Sequence, residues 1–218
     1  MEVWDEGIFV VSGIHFVVLL ATVLVAPVAV SAEVDNPWLV RLRGISVVPD
    51  ESSTISAIGG KATVSNSYVP ELDISYFLSD RVAAEIILGV SNHDIGATGT
   101  SAGNLGLGSV WLLPPTLNLQ YHFAPEGKFR PYLGAGVNLT LFFNVEPGAA
   151  NSIDYDAAFG FSGQGGADIA LNEEWALNLD IKKLFLSTKA TIAALGTTVT
   201  ADVDLHPYII GVGFARRF

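Results

Sequence analysis

The 218-residue chain has no cysteine and a single methionine. Without cysteine it can build neither a disulfide framework nor a thiolate site. An exported protein of this kind must hold together by burial or by closing a sheet on itself. Charge is also scarce, at 15% of residues, against about 25% in ordinary globular domains. Basic residues are the rarer half, 11 against 22 acidic, which argues against nucleic acid as a partner, because phosphate binding needs a basic surface. No His/Asp/Glu spacing suggests a metal site, and no cofactor is implied. "GGKATVS" (59–65) lacks the spacing of a phosphate-binding loop and reads as loop.

Long hydrophobic runs are missing as well, with one exception. Residues 7–32, "GIFVVSGIHFVVLLATVLVAPVAVSA", form a dense apolar block ending in the small-residue site Val30-Ser31-Ala32. That is the layout of a signal peptide over residues 1–32, with an uncleaved anchor as the alternative. Its first residues depart from the usual basic pattern, carrying Glu2, Asp5 and Glu6 and no Lys or Arg. Cleavage would remove three of the 22 acidic residues and none of the 11 basic ones, leaving net −8 on residues 33–218.

What is there is apolar character dispersed as alternation: 50% of residues are hydrophobic. Period-2 patterning bounded by turn residues predicts eight strands, at 37–48, 68–78, 82–94, 109–123, 129–144, 157–171, 175–186 and 204–218. The connections alternate in length. "SDR", "APEGK" and "NEE" are short, whereas 49–67, 95–108, 145–156 and 187–203 are long. The expected fold is all-β: an eight-stranded antiparallel up-and-down transmembrane β-barrel with short periplasmic turns and long extracellular loops.

The alternative is a soluble barrel or sandwich with its apolar face inward. Aromatic placement separates the two. Trp38, Tyr76, Tyr121, Phe123, Trp175 and Phe218 fall near the short-turn end of the apolar faces. Tyr68, Trp111, Phe143, Phe159, Phe161, Phe185 and Tyr208 fall near the other end, with Leu, Ile, Val and Ala between. A soluble core has no reason to sort aromatics by height, but two membrane–water interfaces do. The C-terminal alternation Tyr208, Ile210, Val212, Phe214 and Phe218 reads as the strand that closes the barrel and as a signal for outer-membrane assembly machinery. Arg216 breaks that apolar face at the periplasmic interface, where a charge costs about 0–1 kcal/mol. A Gram-negative outer membrane, with its bilayer and lipopolysaccharide, is the expected location.

At "LLPPTLNLQYHF" (112–123) and "KFRPYLGAGVNLTLFFN" (128–144) the chain resembles the OmpW family of outer-membrane proteins. "WLVRLRGISVVPDESS" (38–53) and "YVPELDISYFLSDRVAAEIILGVSNHDI" (68–95) resemble it too, so the likeness spans the mature chain. The resemblance implies an eight-stranded barrel associated with uptake of small hydrophobic molecules.

An eight-stranded barrel is just wide enough for side chains to fill it, so the inward residues decide what it does. Inward parity places Arg41, Arg43, Asp73, Glu85, Gln120, His122, Asn178, Asp180 and Lys182 in the periplasmic half, where buried charges must pair. They are expected to form a plug; filling the barrel and fixing register is the plainer role. The extracellular half is apolar, with Ile45, Val47, Leu112, Pro114, Phe142, Leu184, Leu186 and Ile209. These read as a substrate tunnel for small hydrophobic solutes, or simply as packing. Pro114 and Pro115 remove two ladder donors beside "GNLGLG" (103–108), which suggests a lateral gate into the bilayer. Two other readings stand beside transport. A structural or adhesion barrel would act through its loops. An enzyme would need a Ser–His–acid set, for which His93 beside Asp94 and Ser91, His206 and His122 are the only histidines in range, and no catalysis is expected.

Overall fold

The computed structural model describes residues 34–52, 59–101, 103–194 and 197–218; the expected signal peptide lies outside them. Among the described residues all helical or strand structure is strand. In chain order the strands are β1 (Trp38–Val48), β2 (Glu51–Ser52), β3 (Lys61–Val64), β4 (Ser67–Phe77), β5 (Val82–Gly89), β6 (Ser91–Thr100) and β7 (Gly103–Leu113). They continue as β8 (Thr116–His122), β9 (Phe129–Pro147), β10 (Ser152–Tyr155), β11 (Ala158–Ala170), β12 (Trp175–Ala194), β13 (Thr197–Leu205) and β14 (Tyr208–Arg217).

Antiparallel ladders run β1–β4–β5–β8–β9–β11–β12–β14. The ring shuts where β14 returns to β1, from Leu39↔Arg217 to Val48↔Tyr208. The final residue takes part: Phe218 N–H donates to the Trp38 carbonyl at 2.8 Å, and Trp38 N–H to the Phe218 carbonyl at 3.2 Å. In hydrocarbon each unpaired backbone group would cost several kcal/mol, so only a closed sheet is tolerable.

Side chains build two of the three short turns, and a backbone bond closes the third. Ser79 Oγ accepts from Val82 N–H at 3.1 Å. Asn172 Oδ1 accepts from Glu174 and Trp175 N–H at 3.0 and 2.8 Å, an Asx-turn. Gly127 N–H returns to the Ala124 carbonyl at 3.1 Å.

Side-chain parity runs the way hydrocarbon dictates. The thirteen aromatics assigned above to two bands all stand exposed on the outer wall, as do Leu42, Leu72, Leu119, Leu133, Leu139, Ile181 and Ile210. Phe161 is 62% exposed while Arg41, Asp73 and Glu85 are fully buried. This is the reverse of a water-soluble domain. Arg216 lies on the outward parity and pairs with Glu174 at 3.0 Å beside the Trp175 and Phe218 rings.

The long connections differ from the expectation: most of their described length is strand. The described residues of 95–108 form the outer part of the β6–β7 hairpin, and those of 187–203 that of β12–β13. β9 continues to Pro147, and β10 pairs with β12. Residues 61–64, expected in a loop, form β3 against β6. Gly, Ala and Thr give these stretches too little contrast to carry a period of two, whereas the ladder itself is backbone and needs none. The barrel therefore stands taller than its apolar belt. The strands read as 82–94 and 109–123 are each divided in two, at Val90 and at Pro114-Pro115. Above Ala158↔Thr140, β9 and β10 share no ladder pair among the described residues, and the Phe142 and Tyr155 rings stack across that interval at 5.2 Å.

Candidate functional site

The interior has two storeys. In the lower one, all nine residues expected to form a plug are buried to 5% exposure or less. Arg41, on β1, forms a two-pronged pair with Asp168 of β11: Nε to Oδ1 at 3.1 Å and Nη2 to Oδ2 at 2.7 Å. Its Nη1 also reaches Ser75 Oγ at 3.1 Å, Asp73 at 3.4 Å and Glu85 at 3.5 Å. Two residues on, the same face of β1 presents Arg43. Its guanidinium contacts Glu71 at 2.9 Å, Asp180 at 3.4 Å and Asp73. Lys182 Nζ closes the cluster against Glu71 at 2.7 Å and Asp180 at 3.3 Å.

Five carboxylates thus face three cations, and neutral donors supply the rest. Tyr132 O–H donates to Asp180 at 2.7 Å, and Asn178 Nδ2 to Asp168 at 2.8 Å. Asn118 Nδ2 donates to Glu85 at 3.0 Å, and Gln164 Nε2 to Asp180 at 2.9 Å. Gln120 Nε2 donates to Gln164 Oε1 at 3.2 Å, and His122 meets Gln120 at 3.2 Å. Gly166 stands opposite Tyr132, where a Cβ would collide with the ring; glycine here is what lets Tyr132 lie across the wall into the network.

Sequence reasoning omitted Glu71, Asp168, Tyr132, Gln164 and Asn118 from this cluster. The parity signal was present. Glu71 alternates with Leu72, and Asn118 with Leu117 and Leu119. Ser162, Gln164 and Asp168 share the parity opposite Phe159 and Phe161.

The upper storey is an apolar cavity of about 110 Å³. All eight residues expected to line a tunnel border it: Ile45, Val47, Leu112, Pro114, Phe142, Leu184, Leu186 and Ile209. Ile45, Val47, Leu184, Leu186, Ile209 and Ala158 also pack into one buried cluster. Glu71 and Lys182 form part of the cavity floor. Ile153, Tyr155, Thr188, Ala190 and Val203 line it as well, and were missed because their segments read as loops.

Pro114 and Pro115 separate β7 from β8. The β5–β8 ladder ends at Ile87↔Thr116, and the β6–β7 ladder begins at Ser91↔Leu112. Residues 88–90 and 113–115 therefore have no ladder pair with each other among the described residues. The proline carbonyls are held from the opposite side, by Asn138 Nδ2 at 3.1 and 3.3 Å and by Leu139 N–H at 3.0 Å. Ile87, Gly89, Val90, Pro114 and Thr116 line the cavity at this interval.

The histidines do not assemble a triad among the described residues. His93 Nε2 lies 3.0 Å from Ser91 Oγ, but its Nδ1 is held by the Ser65 carbonyl at 2.7 Å, and Asp94 is exposed.

A closed eight-stranded barrel with an apolar outer belt between two aromatic bands is an outer-membrane protein. Residues 37–218 match the OmpW family, and the chain belongs to it. It is 43% identical over 187 residues, 84% of this chain and 80% of the relative, to an uncharacterized outer-membrane protein, y4mB, of Sinorhizobium fredii. It is 30% identical over 190 residues to the dibenzothiophene metabolism operon protein PahQ of Pseudomonas aeruginosa, covering 84% of this chain and 90% of PahQ. The crystal structure of outer membrane protein OprG from Pseudomonas aeruginosa superposes with a TM-score of 0.77 at 30% identity, over 83% of this chain and 95% of OprG. Both y4mB and OprG are outer-membrane proteins.

Proposed function

We propose that the barrel is a narrow conduit for passive uptake of small apolar molecules. The solute enters the apolar upper storey from the lipopolysaccharide-covered face. The charged network below acts as a plug. The exit is sideways into the bilayer, through the wall at Pro114-Pro115. Folding into the membrane is assigned to the outer-membrane assembly machinery, addressed by Tyr208, Ile210, Val212, Phe214 and Phe218.

The observation that carries this reading is the position of the cavity. It is lined by apolar side chains, floored by Glu71 and Lys182, and bordered by the one stretch of wall where the third and fourth membrane crossings share no ladder pair among the described residues. A hydrophobic solute can occupy such a space, and desolvation keeps it from crossing five carboxylates and three cations. That PahQ carries the name of a dibenzothiophene metabolism operon accords with an apolar solute.

The test is uptake of radiolabelled decane by cells with an intact lipopolysaccharide layer, with and without the protein. Expression should raise the rate. Pro114→Val together with Pro115→Val restores two ladder donors, and should return the rate to that of cells lacking the barrel while heat-modifiability on gels stays normal. Unchanged uptake by a folded double variant rejects the sideways exit. No gain from the native barrel rejects transport and leaves an adhesion or structural role through the extracellular strands.

A further inference from the structure

The cavity's hydrogen-bonding capacity is almost entirely spent on its own wall. Thr116 Oγ1 donates to the Pro114 carbonyl at 3.0 Å, Thr140 Oγ1 to Asn138 Oδ1 at 2.7 Å and Thr188 Oγ1 to the Asp156 carbonyl at 2.7 Å. Because the Ser65 carbonyl can only accept, His93 carries its proton on Nδ1, and its Nε2 accepts from the Ser91 hydroxyl. At the floor Lys182 is taken up by Glu71 and Asp180.

One neutral side-chain donor is left over. Tyr155, on β10, lines the cavity, and its hydroxyl has no hydrogen-bond partner among the described residues. The ring is held flat against Phe142, at 5.2 Å between centroids and 24° between planes, so the hydroxyl has a fixed direction. Tyr155 stands above the apolar belt, opposite Ala190 of β12. Burial pushes its pKa up to about 12, so it keeps its proton throughout the physiological range. A half-buried donor at the border of an apolar space gains free energy from any acceptor that arrives. Apolar pockets commonly fix orientation and specificity through a few such groups.

We propose that the Tyr155 hydroxyl is the recognition donor of this cavity, and that the solutes it favours are apolar molecules with one acceptor oxygen, such as ketones, ethers and esters, over hydrocarbons of the same length. This rests on the reading of the cavity as a solute site. The lone pairs of Ser91, Thr116 and Thr188 add acceptors but no second neutral donor. An aliphatic ketone is therefore matched, whereas a carboxylate would have to shed its hydration above a floor where Lys182 is already paired with Glu71 and Asp180.

The experiment is titration of decane and of 2-decanone into the native protein and Tyr155→Phe, reconstituted in lipid nanodiscs and followed by isotope-edited NMR. The substitution keeps the ring and its stack. The native protein should bind 2-decanone more tightly than decane. Tyr155→Phe should weaken 2-decanone about five-fold, the typical worth of one neutral hydrogen bond, and leave decane unchanged. Equal binding of the two solutes by the native protein, or an equal loss of both in the variant, overturns the donor role while leaving the solute site standing. Binding of neither solute overturns both.

Discussion

The two storeys of the barrel sit inside the same ring of strands yet are held by opposite means. β1 crosses both: Arg41 and Arg43 below, Ile45 and Val47 above, all inward and all buried. Below, a carboxylate from one side of the barrel is joined to a guanidinium 127 residues away, and each partner depends on the other. Above, the lining is mostly apolar side chains packed by contact, and about 110 Å³ is left free. Removing a member should therefore be expensive below and cheaper above. The lower storey is a set of paired charges that cannot be vacated, and the upper is a surface that can relax around a gap.

The largest effect should come from Arg41→Ala. Asp168, Asp73 and Glu85 would lose their common cation at zero to 3% exposure, and one-sided breakage of a buried pair costs about 3–5 kcal/mol. Urea unfolding in lipid vesicles, followed by tryptophan fluorescence, would measure it. Arg41→Met combined with Asp168→Leu should be less destabilised than Arg41→Ala alone, because no orphan charge is left at Asp168. If the single and double variants unfold alike, the network is packing and not electrostatics.

The upper storey should answer more mildly. Leu184 is 3% exposed, within the cluster around Ile45 and Ile209. Leu184→Ala should cost about 2 kcal/mol, near the low end for such truncations, because the site already borders a cavity and little close packing is lost. The same urea titration applies. A cost equal to that of Arg41→Ala would erase the distinction between the storeys.

How much of this was legible follows from how much contrast each segment carries. The eight crossings and their inward parity could be read wherever large apolar residues alternate with polar ones, as in "LNLQYHF" (117–123) and "WALNLDIKK" (175–183). The extracellular continuation could not be read. "ATIAALGTTVTAD" (190–202) contains too few large apolar residues for a period to emerge, yet much of it pairs in register as β12 and β13. That blindness hid Ile153, Tyr155 and Thr188 from the candidate site. Asp168 was hidden differently. It follows "GQGG" (163–166), where glycine on both faces conceals the parity that only the flanking Phe159 and Phe161 reveal. Pro114-Pro115 was readable as a place where donors are missing, because proline removes them by its covalent structure.

The smallest effect isolates the cause of the contrast in two consecutive residues. Lys182 and Lys183 each hold a carboxylate at 2.7 Å, Glu71 and Asp50 respectively. The pleat sends the first inward and the second outward, where Lys183 also lies over the Tyr208 ring at 3.6 Å. Asp50 sits in the extracellular connection, and the Lys183 ammonium, by hydrogen bond and by charge, holds its carboxyl below the usual range. Whatever stability this pair supplies is present above the ordinary aspartate value of about 3.9 and is lost as pH falls through the depressed one. Carboxyl-carbon NMR should find Asp50 titrating low in the native protein and at an ordinary value in Lys183→Ala. Added salt should narrow the difference, because the pair is open to solvent. The unfolding midpoint of Lys183→Ala should not move, whereas Lys182→Ala, which frees Glu71 and Asp180 in the interior, should lower it clearly. Equal shifts for both variants would mean that burial is not what makes the lower storey costly to disturb.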